Sequence, residues 1–125
     1  PQLVFYLHRF RAVCDWVGLE VVPEGEIDLT TLGAAGKRVA DWIPLLVDAF
    51  AEAALREEAG DNRLTVAIGR HGRRLAVRFT FSGALDRARF EAGLAPVLHR
   101  MREEGAEVAL RGDGGEADVL FRIGA

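Results

Sequence analysis

Four groups of residues have types and spacing that chemistry could use. Asp48, Glu52 and Arg56 stand at i, i+4 and i+8, so a helix would carry them on one face, with Glu57 beyond. Carboxylates at that spacing can share acid and base work only with a cleft and a second set of groups facing them, and the sequence shows neither. The face therefore reads as solvated, with Glu52 and Arg56 a helical pair worth roughly 0.2–0.5 kcal/mol. His8, His71 and His99 are the histidines, whose imidazoles could accept a phosphoryl group. His8 has Arg9 and Arg11 to steady one, but a relay histidine is normally followed by an acid, and here Arg9 follows. His99 reads as a partly exposed helix residue and His71 as a turn residue. No His, Cys or acid pair has metal-ligand spacing, and His8 and Cys14 would share a helix face poorly. "GRHGRR", Gly69 to Arg74, with Arg78 on the same hairpin, suits a phosphate or an acidic partner surface, and equally an ordinary soluble turn. "RGDGGEAD" is Gly-rich but lacks the Lys and Ser or Thr of a phosphate loop, and reads as a hairpin turn.

These residues need a scaffold, and 125 residues suffice for one domain. Residues 1–38 read as an N-terminal helix, strand and loop, and 39–125 as a core. Leu3, Tyr6, Leu7, Phe10, Val13 and Val17 recur at helical spacing, followed by a strand at Gly18 to Val22 and a loop at Pro23 and Gly25. Thr30 to Gly36 fits a turn or a short helix. Val39, Trp42 or Ile43, Leu46 or Val47, Phe50, and Ala53 or Ala54 then mark a helix. Because Pro44 disfavours helical angles at Ile43, the main helix is expected to hold Pro44 in its first turn, run to about Glu58 and close at Gly60.

From Leu64 the period becomes two. Leu64, Val66 and Ile68, a turn at His71 and Gly72, then Leu75, Val77, Phe79 and Phe81 describe an antiparallel hairpin with one buried face. After a break at Ser82 to Asp86, Phe90, Leu94, Val97, Leu98 and Met101 mark a helix ending at Gly105 and interrupted or restarted at Pro96. Glu107 to Arg111, Gly112 to Gly115 and Ala117 to Ile123 form a second hairpin. The expected fold is α+β, a two-layer sandwich with helices on one face of a mixed, mostly antiparallel sheet.

Composition narrows the classes. Half the residues are apolar, as in a globular chain, and the net charge of −3 offers no general attraction to nucleic acid or anionic membrane. A nucleic-acid reader would add exposed aromatics, whereas these sit mostly at core-facing positions. The 15 Arg against the single Lys37, with abundant Ala and Gly, suggest a GC-rich coding genome. The lone Cys14 excludes an intramolecular disulfide and fits a reducing compartment, so the cytoplasm is expected. Val39 to Leu55, the most apolar stretch, is broken by Asp41, Pro44, Asp48 and Glu52, and no signal segment opens the chain. The chain begins at Pro1 without Met, which fits a piece of something longer.

The order helix, hairpin, break, helix, hairpin from Ile43 to Ile123 resembles the ATP-binding domain of the GHKL superfamily, which includes sensor histidine kinases. "IPLLVDAFAEAALREEAG" is similar to the helix bearing the N box, roughly P-x-L-L-x-x-L-V-E-N-A in the autolysin-regulator type. "RLTVAIGRHGRRLAVRFTFSG" is similar to the hairpin leading into the first glycine box, D-x-G-x-G; "EAGLAPVLHRM" to the second, G-x-G-L and its helix; and "GAEVALRGDGGEADVLFRI" to the closing hairpin. "YLHRFRAV" resembles the Y-L-x-x-x-x-x-R-F helix of those kinases more loosely. The resemblance covers about two thirds of the chain.

In that family the Asn holds the magnesium on the phosphates, the first-box Asp accepts the adenine amino hydrogen, and glycines let backbone approach phosphate as a lid closes. Carried over, the Asn position falls on Glu52 and the acid before it on Ala51; the Asp position falls on Phe81, followed by Ser82 and Gly83; of the second box Gly93 and Leu94 remain. The only Asn is Asn62, outside the helix, and Ala84 to Phe90 is too short for an ordinary lid. The resemblance thus implies a degenerate module with no catalytic residue, no metal and no bound cofactor. Its expected partner is a protein such as a response-regulator receiver in a two-component or phosphorelay pathway, with homodimerisation allowed. Neither nucleic acid nor membrane is expected to bind. Two alternatives stand beside it: a divergent but active sensor-kinase ATP-binding domain, and an unrelated α+β interaction domain.

Overall fold

The computed structural model describes residues 15–23, 33–56, 62–112 and 116–124. The expected helix from Leu3, with His8 and Cys14, lies outside them, as do Gly60 and the centre of the Gly112 to Gly115 turn. The elements are β1 (Gly18–Pro23), α1 (Gly33–Ala53), β2 (Arg63–His71), β3 (Arg74–Ser82), α2 (Arg87–Glu103), β4 (Glu107–Arg111) and β5 (Ala117–Gly124). The sheet order is β1-β2-β3-β5-β4. β1 runs parallel to β2, and the remaining pairings are antiparallel. Two helices on one face of this mixed sheet make the expected two-layer sandwich.

Period-two patterning sets the buried face. Leu64, Val66, Leu75, Val77, Phe79, Phe81, Val119 and Phe121 are all essentially inaccessible. The register lines them up in rows, Leu64 beside Phe81, Val66 beside Phe79, and Phe79 beside Val119, so one apolar surface crosses three strands. Gly72 closes the β2–β3 hairpin at φ 62°, while Arg73 keeps a negative φ, the pattern of a II′ turn.

Both helices depart from expectation at a proline. α1 begins at Gly33, well before Pro44, and ends at Ala53 rather than near Glu58. The ambiguous stretch ending at Gly36 thus supplies the first turn of a long helix. Interior proline costs about 3 kcal/mol. Val39, Trp42 and Ile43 lie on the N-terminal side of Pro44, each at most 1% exposed. Each buried side chain of that size contributes about 1.5–3 kcal/mol, so packing outweighs the proline. α2 likewise runs unbroken through the exposed Pro96, carried by Phe90, Leu94, Leu98 and Met101. Its N-cap is Asp86, whose carboxylate accepts from Arg89 N at 3.1 Å. At its end Gly105 takes φ 97°, Gly105 N donates to Arg102 O and Ala106 N to Met101 O, a Schellman closure.

An aromatic chain joins the layers. Trp42 meets Phe121 edge-on at 5.6 Å, Phe121 stacks on Phe79 at 6.2 Å, and Phe79 on Phe50 at 6.1 Å. Phe50 also contacts Phe81 at 5.8 Å and Phe90 at 4.6 Å. No helix among the described residues is long and apolar enough to cross a membrane.

Candidate functional site

The end of α1, the end of β3 and the start of α2 converge at one pole of the molecule, which is where the box-like residues lie. Helices end with carbonyls that lack intrahelical partners. Here each finds one. Ala51 O accepts from the Trp16 indole Nε1 at 2.8 Å, Glu52 O from Arg89 Nη1 at 3.5 Å, and Ala53 O from Asp86 N at 2.8 Å. Leu55 N donates to Ala84 O at 2.9 Å, so Ala54 and Leu85 face each other as an antiparallel bridge. The helix ends early because residues 54 and 55 pair with the chain leading into α2.

Asn62 holds this junction together. It is fully buried, and it is the one buried polar residue among those described. Its Nδ2 donates to Trp16 O at 3.0 Å and Leu55 O at 2.9 Å, and its Oδ1 accepts from Ala84 N at 2.9 Å. Gly18 N donates to its backbone carbonyl at 2.9 Å. One side chain thus satisfies three backbone groups from three segments, all of which would be costly to bury alone. Sequence reasoning missed this role. The available signal was that the only asparagine stands between a helix and an apolar strand.

The carried-over positions fall as follows. Glu52 is exposed on the last turn of α1. Counted strictly from Pro44, the N-box pattern sets Glu52 at its Glu and the buried Ala53 at its Asn, one residue later than the looser match. Neither register supplies an Asn. Phe81 is 1% exposed and stacked on Phe50 within the core. Ser82 is exposed, and Gly83 adopts φ 134°, a conformation that L side chains rarely take. The structure brings Phe81, Ser82 and Gly83 to the same pole as Glu52. Gly93 is apart from them, exposed along α2 with open space around it.

The remaining candidates are dispersed. Asp48 and Glu52 are exposed on α1, but Arg56 lies beyond the helix end and its guanidinium sits 4.1 Å over the Trp16 ring. The expected Glu52–Arg56 helical pair is therefore replaced by a cation–π contact. At the opposite pole Arg70, Gly72, Arg73 and Arg74 of the basic turn are exposed: Arg70 Nε donates to Gly72 O, and Arg74 binds Glu107 through two bonds, the shorter 2.6 Å. That bonding and the Arg74 charge hold the Glu107 carboxyl below the usual carboxylate range. Arg78 approaches Asp118 at 3.5 Å. His99 pairs with Glu103 on exposed α2 surface at 2.9 Å. Among the described residues no three His, Cys, Asp or Glu side chains group as a metal site. A shallow cleft of about 240 Å³ lies across β1 and β2, lined by Gly18, Leu19, Glu20, Arg63, Leu64 and Thr65; Arg63 and Leu64 pair with Ser82 and Phe81, so the cleft borders those two positions.

The pole of the box-like residues is thus tied together by its own hydrogen bonds, apolar at Phe81, and carries the exposed carboxylates of Glu52 and Asp86. Among solved structures, the catalytic domain of histidine kinase ThkA is similar to this chain with a TM-score of 0.64 and 12% identity, covering 97% of this chain and 85% of that one. Histidine kinase AdeS of Acinetobacter baumannii gives 0.68 and 13%, covering 98% and 63%. Full-length ShkA in complex with AMPPNP gives 0.69 and 14%, covering 98% and 30%. No protein-family model and no curated protein matches the sequence. At these identities the likeness is one of architecture, and the chain has the fold of histidine-kinase catalytic domains.

Proposed function

We propose that this chain is a non-catalytic signalling or regulatory module, a histidine-kinase-type ATPase fold that has lost its nucleotide chemistry and binds a protein partner. The observation that carries this reading is Phe81, buried against Phe50 where the resemblance places the acid that recognises adenine. A phenyl ring cannot accept a hydrogen bond from an amino group, and converting the site would require removing it from the core. The carbonyls ending α1 are already bonded to Trp16, Arg89 and Asp86, which argues in the same direction. The fold likeness to histidine kinases supports a two-component or phosphorelay setting with a response-regulator receiver as partner, and the lone Cys14 suits the cytoplasm. Calorimetric titration with ATP and magnesium is the direct test. No heat of binding is expected up to millimolar nucleotide, and micromolar affinity overturns the reading.

One observation favours a second reading, a divergent but active sensor-kinase domain: a protein of the same fold, ShkA, is described in complex with AMPPNP. That reading requires ATP to raise the melting temperature, since a ligand that binds only the native state stabilises it.

A further inference from the structure

Trp16 stands outside the sheet and outside both helices, yet it contacts the end of α1, Arg56 and Asn62. Its indole N–H takes the Ala51 carbonyl, its ring carries the Arg56 guanidinium, and its own carbonyl takes one of the two Asn62 amide hydrogens. Two residues on, Gly18 N is bonded to the Asn62 backbone. By contrast, none of the aromatic contacts joining the layers involves it.

We propose that Trp16 is a latch: its seating holds the end of α1 against the segment Ala84–Asp86, and its withdrawal opens that pole while the sheet stays folded. Lifting Trp16 leaves Ala51 O without a donor, strips the cation–π contact and leaves Asn62 Nδ2 with Leu55 O as its one remaining acceptor. The bonds next in line, Leu55 N to Ala84 O, Ala84 N to Asn62 Oδ1 and Asp86 N to Ala53 O, keep their own donors and acceptors but lose the support of a fixed Trp16. Units of this kind open with lower free energy than the whole molecule, because few core contacts break with them. Trp16 is half-buried against the core, and its displacement reaches Leu55, Arg56, Leu85 and Arg89 through the Asn62 junction rather than through the aromatic chain that joins the layers. The device does not depend on whether a nucleotide or a protein binds there.

Amide hydrogen exchange tests it. In Trp16→Phe, which keeps a ring and loses the donor, exchange at Leu55, Ala84 and Asp86 is expected to quicken about fivefold, the effect of one hydrogen bond. Trp16→Ala should quicken the same amides at least tenfold, and Arg56→Met less than either. Amides of β3 and β5 should stay within twofold of the parent in all three. Equal acceleration everywhere would make Trp16 an ordinary stabilising residue and overturn the latch, as would no change at Leu55, Ala84 and Asp86. Should Trp16→Ala fail to fold, the Phe and Met variants decide the matter alone.

Discussion

Asn62 and Phe81 are the residues that distinguish this domain's chemistry, and each makes a prediction. Asn62→Ala removes two donors and an acceptor from a buried position, stranding Trp16 O, Leu55 O and Ala84 N. Leaving such groups unsatisfied costs about 1–3 kcal/mol each before relaxation, so a loss of about 2–4 kcal/mol in denaturant unfolding is expected. Phe81→Asp would put an acid at the position where the resemblance to GHKL domains expects one. In this core it places a carboxylate among Phe50, Leu64 and Ala117, and a loss of about 4 kcal/mol or more without gain of ATP binding is expected from denaturation and calorimetry together. At the other pole the sign of a titration can be fixed. Glu107 is depressed chiefly by its hydrogen bonds to Arg74 and next by the Arg74 charge, so its stabilising share is present above its unfolded pKa and fades as pH falls through the folded value. Both side chains are largely exposed, and salt and water leave that share small. Arg74→Met should return the Glu107 carboxyl resonance titration to its ordinary range, with little change in stability.

Among the elements, strands were easier to read than helix ends. Alternation at Leu64 to Ile68, Leu75 to Phe81 and Ala117 to Ile123 is a local signal that survives folding, because the same face must be apolar on every strand of a one-sided sheet. The prolines misled for a physical reason. Local sterics at Pro44 and Pro96 argue for helix boundaries, whereas the buried stripes on either side of each proline determine the outcome. The end of α1 was not legible at all, because it is set by Ala84 to Asp86, some thirty residues away along the chain. The hydrogen-bonded junction at the end of α1 was not legible either, since no residue next to Asn62 in the sequence announces its three backbone partners. If packing overrides Pro96, removing the proline should relieve a cost. Pro96→Ala on this exposed face is expected to stabilise the domain by about 1–3 kcal/mol, measured by thermal or denaturant unfolding, and a destabilisation would mean that Pro96 serves a contact not apparent in the fold.

At the scale of the molecule, the two layers are joined by one aromatic chain whose hub is Phe50, in contact with Phe79, Phe81 and Phe90. Trp42 ties its other end to Phe121, and also bonds Glu104 at 3.1 Å just beyond α2. The helical layer therefore has no independent core to retain once the sheet is exposed. Loss of tertiary packing, followed by near-ultraviolet dichroism of Trp42 in a Trp16→Phe background, should coincide with loss of secondary structure in one transition. Phe50→Ala opens a cavity where three rings meet, at a cost of about 3–5 kcal/mol. Domains of this size have total stabilities of about 5–15 kcal/mol, so that variant should lose a large share of its margin and still unfold in a single step. A Phe50→Ala protein that kept its far-ultraviolet signal after losing the Trp42 signal would mean the layers are held together by something other than this chain of rings. Trp16 packs against the core but is not one of these joined rings, so the latch predicts that local exchange at Leu55 and Asp86 rises while the global transition stays single.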